Sequence, residues 1–387
     1  MEIKEIDKKY IANTYKRFDV VLEKGKGSIV YDNAGKKYTD LGGGIAVNIF
    51  GIGDEQWKAA VIKQLNTLTH TSNLYFTEPQ ALLAQKLCEK TGMKKVFFSN
   101  SGAEANECAI KTARKYGTDA YGNDHNVIIC LKNSFHGRTM ATLSATGQDE
   151  YHKYFYPFVE GFVFADADDF DSVKKLAEEN NVCAIMMELV QGEGGVRALN
   201  KNFVTQVAAY AKDHDLLLII DEVQTGNGRS GSLYAYMNYG ISPDIVSTAK
   251  GIGGGLPIGA TLMSEKCQQV MTAGTHGSTF GGNPVCAAGA VNILDRIDES
   301  LLQGVQERSK FIIDSLTAMK NVKAVSGLGL MIGADLDKNL DEVVKQCQEK
   351  GVLVLTAHGK LRLLPALNIP MDELKEAMKI IKDVIDT

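Results

Sequence analysis

Apolar residues form short uninterrupted runs in the middle of the chain, and polar residues follow each run. Residues 216–220, LLLII, are too few for a typical helix and are typical of a strand buried on both faces, as in a parallel sheet. A similar run occurs at residues 127–131, residues 182–189 are apolar apart from Glu188, and a short apolar segment spans residues 244–246. A helical pattern at residues 203–214 separates two of these segments. The alternation predicts a mostly parallel α/β sheet with right-handed crossovers.

The pattern changes toward both ends of the chain. From about residue 295, charged amphipathic helices alternate with short strands at residues 329–333, 352–356 and 360–364, which predicts a smaller α+β domain. Near the start, a charged helical segment precedes a hairpin with its turn at residues 32–35. We therefore expect an N-terminal segment (1–45) packed with the small domain, a large domain (46–284) that binds the ligand, and a small C-terminal domain (285–387).

Two of the buried strands are followed by groups that carry chemistry. Asp221 and Glu222 end the run at residues 216–220, and Lys250 follows the next apolar segment, just before a glycine run. An acid and an amine on neighbouring strand ends are what a pyridoxal phosphate site needs. The amine bonds covalently to the cofactor, and the buried carboxylate keeps its ring nitrogen protonated.

A third strand, residues 95–98, leads into the sequence SNSGAE. Ser101 and Glu104 fit a capping box at the start of a helix that extends to about residue 116. The free N–H groups and the positive dipole at such a helix start favour phosphate. An ordinary helix cap is the commoner explanation of this pattern, and only the downstream lysine and aspartate favour the phosphate site.

Two other motifs compete with this interpretation. Gly226, Gly228 and Gly231 fit the dinucleotide pattern G-x-G-x-x-G, but DEVQT separates them from the strand, whereas the motif should open a helix directly. Ser247 and Lys250 fit the S-x-x-K of serine acylases, but the only K-T-G precedes it and no S-D-N is present. Both are weaker hypotheses than the pyridoxal phosphate site.

Composition and charge narrow the class of protein. The 387 residues carry a formal net charge of −5, which gives no reason to expect nucleic acid or an acidic membrane as partner. The seven cysteines are scattered without a C-x-x-C, and the histidines lack close pairing, so we expect a reducing compartment and no metal site. The charged N-terminus lacks the apolar core of a secretory signal, and no apolar run has membrane-spanning length. We expect a cytoplasmic protein.

Seven blocks of sequence, in order, resemble the class III aminotransferases of pyridoxal phosphate fold type I. They are NSGAEANECAIKTARKYG, FHGRTMATLSATGQ, VQGEGGV, IIDEVQTGNGRSG, PDIVSTAKGIGGGLPIGA, HGSTFGGNP and LRLLPAL. The resemblance spans almost the whole chain and is far more specific than any single motif. It implies an α/β fold with a mostly parallel seven-stranded sheet, a smaller α+β domain, and a homodimer with a shared active site.

The resemblance also implies roles for individual residues at the cofactor. Lys250 resembles the lysine that bonds to pyridoxal phosphate, and Asp221 resembles the partner of its ring nitrogen. Gln224 would lie near the phenolic oxygen and Phe135 would stack on the ring. The full set expected at the cofactor is Ser101, Gly102, Ala103, Phe135, Glu188, Asp221, Val223, Gln224, Lys250 and, from the second subunit, Thr279.

For the substrates, the resemblance implies a ping-pong transamination between N2-acetylornithine and 2-oxoglutarate, a step of arginine biosynthesis. Arg138, with Ser278 nearby, resembles the residue that binds the carboxylate of acetylornithine. Arg362 resembles the arginine that binds the α-carboxylate of 2-oxoglutarate, and Glu193 the glutamate that pairs with it while the amine donor is bound.

Departures from the family pattern concern the choice of substrate. Leu189 stands where the family commonly has proline, and GIGDEQ replaces a histidine-rich turn. Gly44 stands where ornithine aminotransferases carry a tyrosine that orients a free α-amino acid, which favours an N-acylated donor. Ornithine, succinylornithine, succinyl-diaminopimelate and 4-aminobutyrate remain alternative donors. An aminomutase of the same fold and a non-enzymatic nucleotide-binding module are the other hypotheses.

Overall fold

The computed structural model describes residues 2–387, and its N-terminal part is a short helix followed by an antiparallel meander. The predicted hairpin is confirmed, because two antiparallel strands flank the turn and Gly35 N–H donates to the Asp32 carbonyl. A single distorted turn follows, in which Gly44 and Ile45 have positive φ angles. These elements are α1 (Ile3–Tyr10), β1 (Leu22–Lys26), β2 (Ile29–Asp32), β3 (Lys37–Asp40) and the turn α2 (Gly43–Ala46).

The middle of the chain alternates strands and helices. The helix that starts at Glu55 ends at Leu65, and the helix after Ser101 continues to Tyr121, beyond the expected end near residue 116. The elements are α3 (Glu55–Leu65), α4 (Glu78–Thr91), β4 (Lys95–Ser99), α5 (Gly102–Tyr121), β5 (Val127–Leu131), α6 (Met140–Ala145), β6 (Phe162–Ala165), α7 (Phe170–Glu179), β7 (Val182–Met187), β8 (Val190–Gln191), β9 (Arg197–Ala198), α8 (Lys201–Asp213), β10 (Leu217–Asp221), α9 (Ala235–Tyr239), β11 (Ile245–Thr248), β12 (Gly259–Met263) and α10 (Pro284–Asp295).

Seven of these strands form one sheet in the order β4-β12-β11-β10-β7-β5-β6. Only β12 runs antiparallel to its neighbours, so the predicted mostly parallel sheet is confirmed. Ile219 of β10 lies between Met186 of β7 and Ile245 of β11, and every residue of these three strands is buried. Helices cover both faces, which explains why the strands are continuous apolar runs.

The C-terminal part contains a second, antiparallel sheet in the order β13-β14-β17-β16. The sequence pattern predicts only one strand near residues 329–333, but the structure has a hairpin there. Its first strand was missed because its apolar residues are interrupted by polar ones and it is partly exposed. The elements are α11 (Glu299–Thr317), β13 (Val322–Leu328), β14 (Met331–Leu336), α12 (Leu340–Glu349), β15 (Val352–Leu353), β16 (Leu355–Ala357), β17 (Lys360–Leu363) and α13 (Met371–Asp386).

The predicted strand at residues 352–356 is in fact two short strands that belong to different sheets. β15 pairs in parallel with β3, whereas β16 pairs with β17. The N-terminal meander is therefore extended by a strand from the C-terminal part of the chain. This pairing supports the expected association of residues 1–45 with the small domain, although the three-domain division itself stays a prediction.

Candidate active site

One cavity of about 480 Å³ lies at the carboxyl ends of the parallel strands. Because β4, β5, β7, β10 and β11 run in the same direction, the loops that follow them meet at one edge of the sheet. Most of the site residues expected from the sequence line this cavity, and they are Ser101, Gly102, Ala103, Phe135, Arg138, Glu188, Asp221, Val223, Gln224 and Lys250. Glu193, Ser278, Thr279 and Arg362 do not line it.

Asp221, the last residue of β10, is buried on one side of the cavity with 4% of its surface exposed. Its Oδ2 accepts hydrogen bonds from Asn106 Nδ2 at 2.7 Å and is 2.8 Å from His136 Nδ1, while its Oδ1 accepts from Val223 N–H at 2.9 Å. Charged groups buried in this way are stable only when they are hydrogen-bonded. These three contacts hold the carboxylate in one orientation.

Lys250 begins a 3₁₀ turn directly after β11, and β11 pairs with β10. Its backbone has a φ of 49°, a conformation that costs energy for a residue with a side chain. Burial lowers the pKa of the Lys250 amine, and the carboxylates of Glu193 and Asp221 oppose this effect. A larger fraction of the amine is therefore neutral than in a solvent-exposed lysine.

The start of α5 forms a third wall of the cavity. Ser101 caps the helix, because its Oγ accepts from the Glu104 N–H at 3.2 Å. The Glu104 carboxylate bonds Asn100 N–H at 2.6 Å rather than the Ser101 N–H of a capping box. A Cβ on Gly102 would lie 2.5 Å from Val223, so only glycine allows this close approach of the helix to the loop after β10.

Two further groups on the cavity wall come from the loops after β5 and β7. Glu188 follows β7 and accepts a hydrogen bond from the Phe135 N–H at 2.8 Å. Burial raises the pKa of Glu188 well above its ordinary value, and the neighbouring Asp221 carboxylate raises it further.

Gln224 is 8% exposed, and its Oε1 has no hydrogen-bond partner within residues 2–387.

An exposed arginine lies at the mouth of the cavity. The guanidinium of Arg138 is 4.0 Å from the centre of the Tyr151 ring and 5.4 Å from the centre of the Phe135 ring. Cation–π contacts of this kind orient the guanidinium while leaving its N–H groups available. Arg138 is therefore positioned to bind a carboxylate that enters the cavity.

A second arginine is buried near the cavity and is already paired. Arg362, in β17, is 3% exposed, and its Nη1 donates to Glu193 Oε1 at 2.6 Å. Glu193 lies in the glycine-rich turn between β8 and β9 and keeps about a quarter of its side chain exposed. The pair neutralises the guanidinium in this state of the protein.

Two of the expected site residues lie apart from the cavity. Ser278 Oγ accepts hydrogen bonds from Asn100 Nδ2 at 3.1 Å and from the Gly281 N–H at 3.0 Å. Thr279 is solvent-exposed on the same loop. Neither residue contributes a side chain to the cavity of its own chain.

Sequence reasoning missed three residues of the site and misread one. Asn106, His136 and Tyr151 had no assigned role, although Asn106 and His136 lie inside quoted motifs and are buried polar residues. Glu222, expected to accompany Asp221 into the site, instead points away from the cavity. Its carboxylate accepts from the Tyr236 N–H at 2.8 Å and from the Thr225 hydroxyl.

A family model described as Aminotransferase class-III matches residues 10–385. The chain belongs to the class-III aminotransferases. The nicotinamide, serine acylase, aminomutase and binding-module hypotheses are therefore set aside, and the family is one of pyridoxal phosphate-dependent enzymes. Residues 226–231 form turns that lead to a five-residue helix, which agrees with the rejection of the dinucleotide motif.

Curated relatives and solved structures cover nearly the whole chain. The acetylornithine aminotransferase of Haemophilus ducreyi is 48% identical over 99% of this chain and 98% of its own length. That of Methanocaldococcus jannaschii is 42% identical over 98% of this chain and 97% of its own. The N-acetylornithine aminotransferase structure from Stenotrophomonas maltophilia has a TM-score of 0.85 at 33% identity, covering 98% of each chain. The ornithine aminotransferase structure from Toxoplasma gondii has a TM-score of 0.95 at 30% identity, covering 99% of this chain and 94% of its own.

The residues of this class-III aminotransferase fit pyridoxal phosphate. Within residues 2–387, the N–H groups of Gly102 and Ala103 have no acceptor, as is usual for the first turn of a helix, and they suit a phosphate. The buried Gln224 Oε1 lacks a donor, and the buried Asp221 carboxylate suits a protonated ring nitrogen.

Within residues 2–387, no cluster of histidine, cysteine and acidic side chains is arranged to hold a metal ion. No helix among residues 2–387 has both the length and the apolar character needed to cross a membrane.

The buried Glu222 generates a testable pH dependence. Burial raises the pKa of Glu222 from 4.5 to about 7, although its hydrogen bonds oppose the shift. Above pH 7 the folded protein therefore contains a carboxylate that is less favourable than in the unfolded chain, by about 3 kcal/mol. Below pH 4.5 both states are protonated and this cost disappears. Glu222→Gln should thus gain stability relative to the unsubstituted protein as pH rises from 4.5 to 7.

Urea unfolding at pH 5 and pH 8 measures this difference. The exposed Glu265 supplies the control, since Glu265→Gln should give the same difference at both pH values. If Glu222→Gln changes the free energy of unfolding by the same amount at both pH values, the raised pKa of Glu222 is wrong.

Proposed function

We propose that the enzyme transfers the δ-amino group of N2-acetylornithine to 2-oxoglutarate, giving N-acetylglutamate 5-semialdehyde and glutamate in arginine biosynthesis. The observation that carries this proposal is the presence of two arginines in different states. Arg138 is exposed at the cavity mouth, and Arg362 is masked by Glu193. Two substrates share the site, and their carboxylates lie at different distances from the reacting group. A site with two arginines can bind each of these carboxylates in turn. Relatives named acetylornithine aminotransferase, 42–48% identical, support the acylated donor.

The walls of the cavity would hold the cofactor by its distinct chemical groups. The N–H groups of Gly102 and Ala103, at the positive end of α5, would bind the phosphate with help from Ser101. Asp221 would hold the ring nitrogen protonated, with its carboxylate fixed by Asn106 and His136. The remaining contacts would come from Phe135, Glu188, Val223 and Gln224, which lie on the same cavity wall. When bound, pyridoxal phosphate supplies a ring that withdraws electrons from the substrate carbon bearing the amino group.

Lys250 would supply the proton transfer. Its Nζ would remove a proton from the substrate carbon that carries the amino group and later return one. Burial lowers the pKa of this amine, which increases the neutral fraction that can accept a proton. The positive φ of Lys250 and its place between two strand ends fix where the amine lies.

Each of the two arginines would bind substrate in a different half-reaction. In the first, Arg138 would bind the carboxylate of acetylornithine while Glu193 keeps Arg362 neutralised. In the second, the α-carboxylate of 2-oxoglutarate would displace Glu193 and form a charge-assisted hydrogen bond with Arg362. A single cavity would then accept an ω-amine and a 2-oxo acid in turn.

We also propose a homodimer in the cytoplasm. Thr279 of the partner subunit would complete the phosphate site, with Ser278 beside it, since this loop is exposed in the single chain. Large apolar side chains on nearby surfaces are exposed as well: Phe76 is 106% and Leu74 86% exposed, and Phe280 is 59% exposed. Apolar surface of this kind marks interaction sites. All seven cysteines are unpaired, which fits a reducing compartment.

Free ornithine is the second candidate donor. The ornithine aminotransferase structure from Toxoplasma gondii superposes over 99% of this chain with a TM-score of 0.95. Backbone similarity over a whole chain is insensitive to the few side chains that select a donor. Gly44 lies in the turn that also contributes Val47 to the cavity wall, and its lack of a side chain favours the acylated donor over ornithine.

Steady-state kinetics with a series of amine donors tests the proposed reaction. With 2-oxoglutarate as acceptor, kcat/KM for acetylornithine should exceed that for ornithine and 4-aminobutyrate by at least about tenfold, because free ornithine places a charged amine where the acyl group belongs. Succinylornithine measures how tightly the acyl group is selected. A kcat/KM for ornithine equal to or above that for acetylornithine would contradict the proposal.

The masking of Arg362 predicts the behaviour of Glu193→Gln. Without the carboxylate, Arg362 stays unneutralised, so KM for 2-oxoglutarate should fall on the order of tenfold and KM for acetylornithine should rise, since a charged hydrogen bond contributes about 1.5–3 kcal/mol. Stopped-flow measurement of each half-reaction separates the two effects.

The matched control for Glu193→Gln is Asp168→Asn. Asp168 also pairs with an arginine, Arg197, at 2.6 Å, but this pair lies outside the cavity. Asp168→Asn should leave the ratio of the rates of the two half-reactions unchanged. If Glu193→Gln also leaves that ratio unchanged, the proposed masking of Arg362 by Glu193 is wrong.

A further inference from the structure

The glycine-rich turn GNGRSG, residues 226–231, has no part in the proposed chemistry, yet it is tightly constrained. Asn227 and Arg229 are each 1% exposed, although both are polar. Gly228 and Gly231 have φ angles of 88° and 85°, which favour glycine, and Asn227 has a φ of 58°. We call residues 226–231 the connector turn, because its two buried side chains bond to different parts of the molecule.

On one side, the connector turn is bonded to the segment that carries Lys250. Asn227 Nδ2 donates to Thr248 Oγ1 at 3.0 Å and to the Ala249 carbonyl at 3.2 Å. Ala249 directly precedes Lys250, whose φ of 49° requires support from its surroundings. A Cβ on Gly251 would lie 3.2 Å from Asn227 Cβ, so the two segments are also in close packing contact.

On the other side, the connector turn is bonded to the sheet that carries Arg362. Arg229 Nη1 donates to the Leu330 carbonyl at 3.0 Å and to the Pro365 carbonyl at 2.6 Å. The Arg229 carbonyl accepts from the Leu330 N–H at 2.9 Å. Leu330 precedes β14, which pairs with β17 at Arg362, and Pro365 follows β17 closely. The contacts therefore hold both the strand beside Arg362 and the backbone just after it.

The charge of Arg229 has no carboxylate partner in residues 2–387. Burial alone lowers the pKa of Arg229 to about 9, so the guanidinium is still mostly protonated at neutral pH. A buried cation without an ion pair is stable only where carbonyl oxygens are held against it. The Leu330 and Pro365 carbonyls thus cannot move away from Arg229 without exposing an unpaired charge to an apolar surrounding.

We infer that the connector turn fixes the position of the Arg362 guanidinium relative to the Lys250 amine, and that Asn227 and Arg229 are positioning residues for the half-reaction with the 2-oxo acid. In such an acid the reacting carbon is bonded directly to the carboxylate carbon. A carboxylate held by Arg362 therefore presents that carbon to Lys250 only at one separation of the two groups. The inference rests on the proposed role of Arg362 in binding the carboxylate of the 2-oxo acid.

Arg229→Met tests the inference in the holoenzyme, since it keeps the approximate volume and removes both hydrogen bonds. Binding of glutarate, an unreactive dicarboxylate, should weaken at least about tenfold by calorimetry, and the half-reaction with 2-oxoglutarate should slow by a similar factor. The half-reaction with acetylornithine, which does not use Arg362, should change less than about twofold. Arg229→Lys should restore part of the glutarate affinity.

Arg308→Met is the matched control. Arg308 also donates to a backbone carbonyl of the segment after β17, at Ile369, but it lies in α11 and has no bond to the connector turn. It should leave glutarate binding unchanged. Equal losses in both half-reactions for Arg229→Met and Arg308→Met would show a general structural effect and overturn the inference, as would unchanged glutarate affinity in Arg229→Met.

Asn227→Gly provides a second test if Arg229→Met fails to fold, because glycine keeps the positive φ and removes only the side chain. It should shift the pH midpoint of the absorption change of the bound cofactor by at least about half a unit, since the Lys250 segment loses its support. An unchanged midpoint would overturn the role of Asn227.

Arg362→Met separates this inference from the proposed function. If Arg362→Met binds glutarate as well as the unsubstituted enzyme, the proposed role of Arg362 is wrong and the inference falls with it. If Arg362→Met loses glutarate binding but Arg229→Met retains it, only the inference is wrong.

Discussion

A buried carboxylate and a buried amine share one cavity, and the rest of the site depends on this arrangement. Asp221 ends β10, and Lys250 follows β11, the strand that is hydrogen-bonded to β10. Because parallel strands end at the same edge of the sheet, two apolar strands bring these groups to one cavity. The apolar runs that make the strands stable also bury both groups, and burial lowers the pKa of the Lys250 amine.

Several ionisable groups surround the cavity, and burial acts on them in different directions. Glu188 accepts one hydrogen bond, from the Phe135 N–H, and burial raises the pKa of Glu188 well above its ordinary value. Lys250 is affected in the opposite sense, because burial lowers the pKa of its amine. The same apolar sheet thus favours a proton on Glu188 and disfavours one on Lys250, while Arg362 is neutralised by Glu193.

The sequence was sufficient to predict the central sheet and much of the cavity wall. Continuous apolar runs identify buried strands, and the first polar residue after each run identifies what the strand delivers, as with Asp221 and Glu188. The pattern could not show that Glu222 points away, since that depends on the bond of its carboxylate to the Tyr236 N–H. It could not find His136 or Asn106 as partners of Asp221, because those contacts join residues 85 and 115 positions apart. The strand β13 was missed because polar residues interrupt its apolar ones and the strand is only partly buried.

Reduction of the holoenzyme with borohydride, followed by proteolysis and mass spectrometry, tests the central arrangement most directly. Reduction makes the bond between the cofactor and its lysine permanent, so the modified peptide identifies the amine that lies in the cavity. The predicted result is modification of Lys250 alone, with no modified peptide from Lys250→Ala. Modification of a different lysine in the unsubstituted enzyme would contradict the pairing of Lys250 with Asp221 across one cavity.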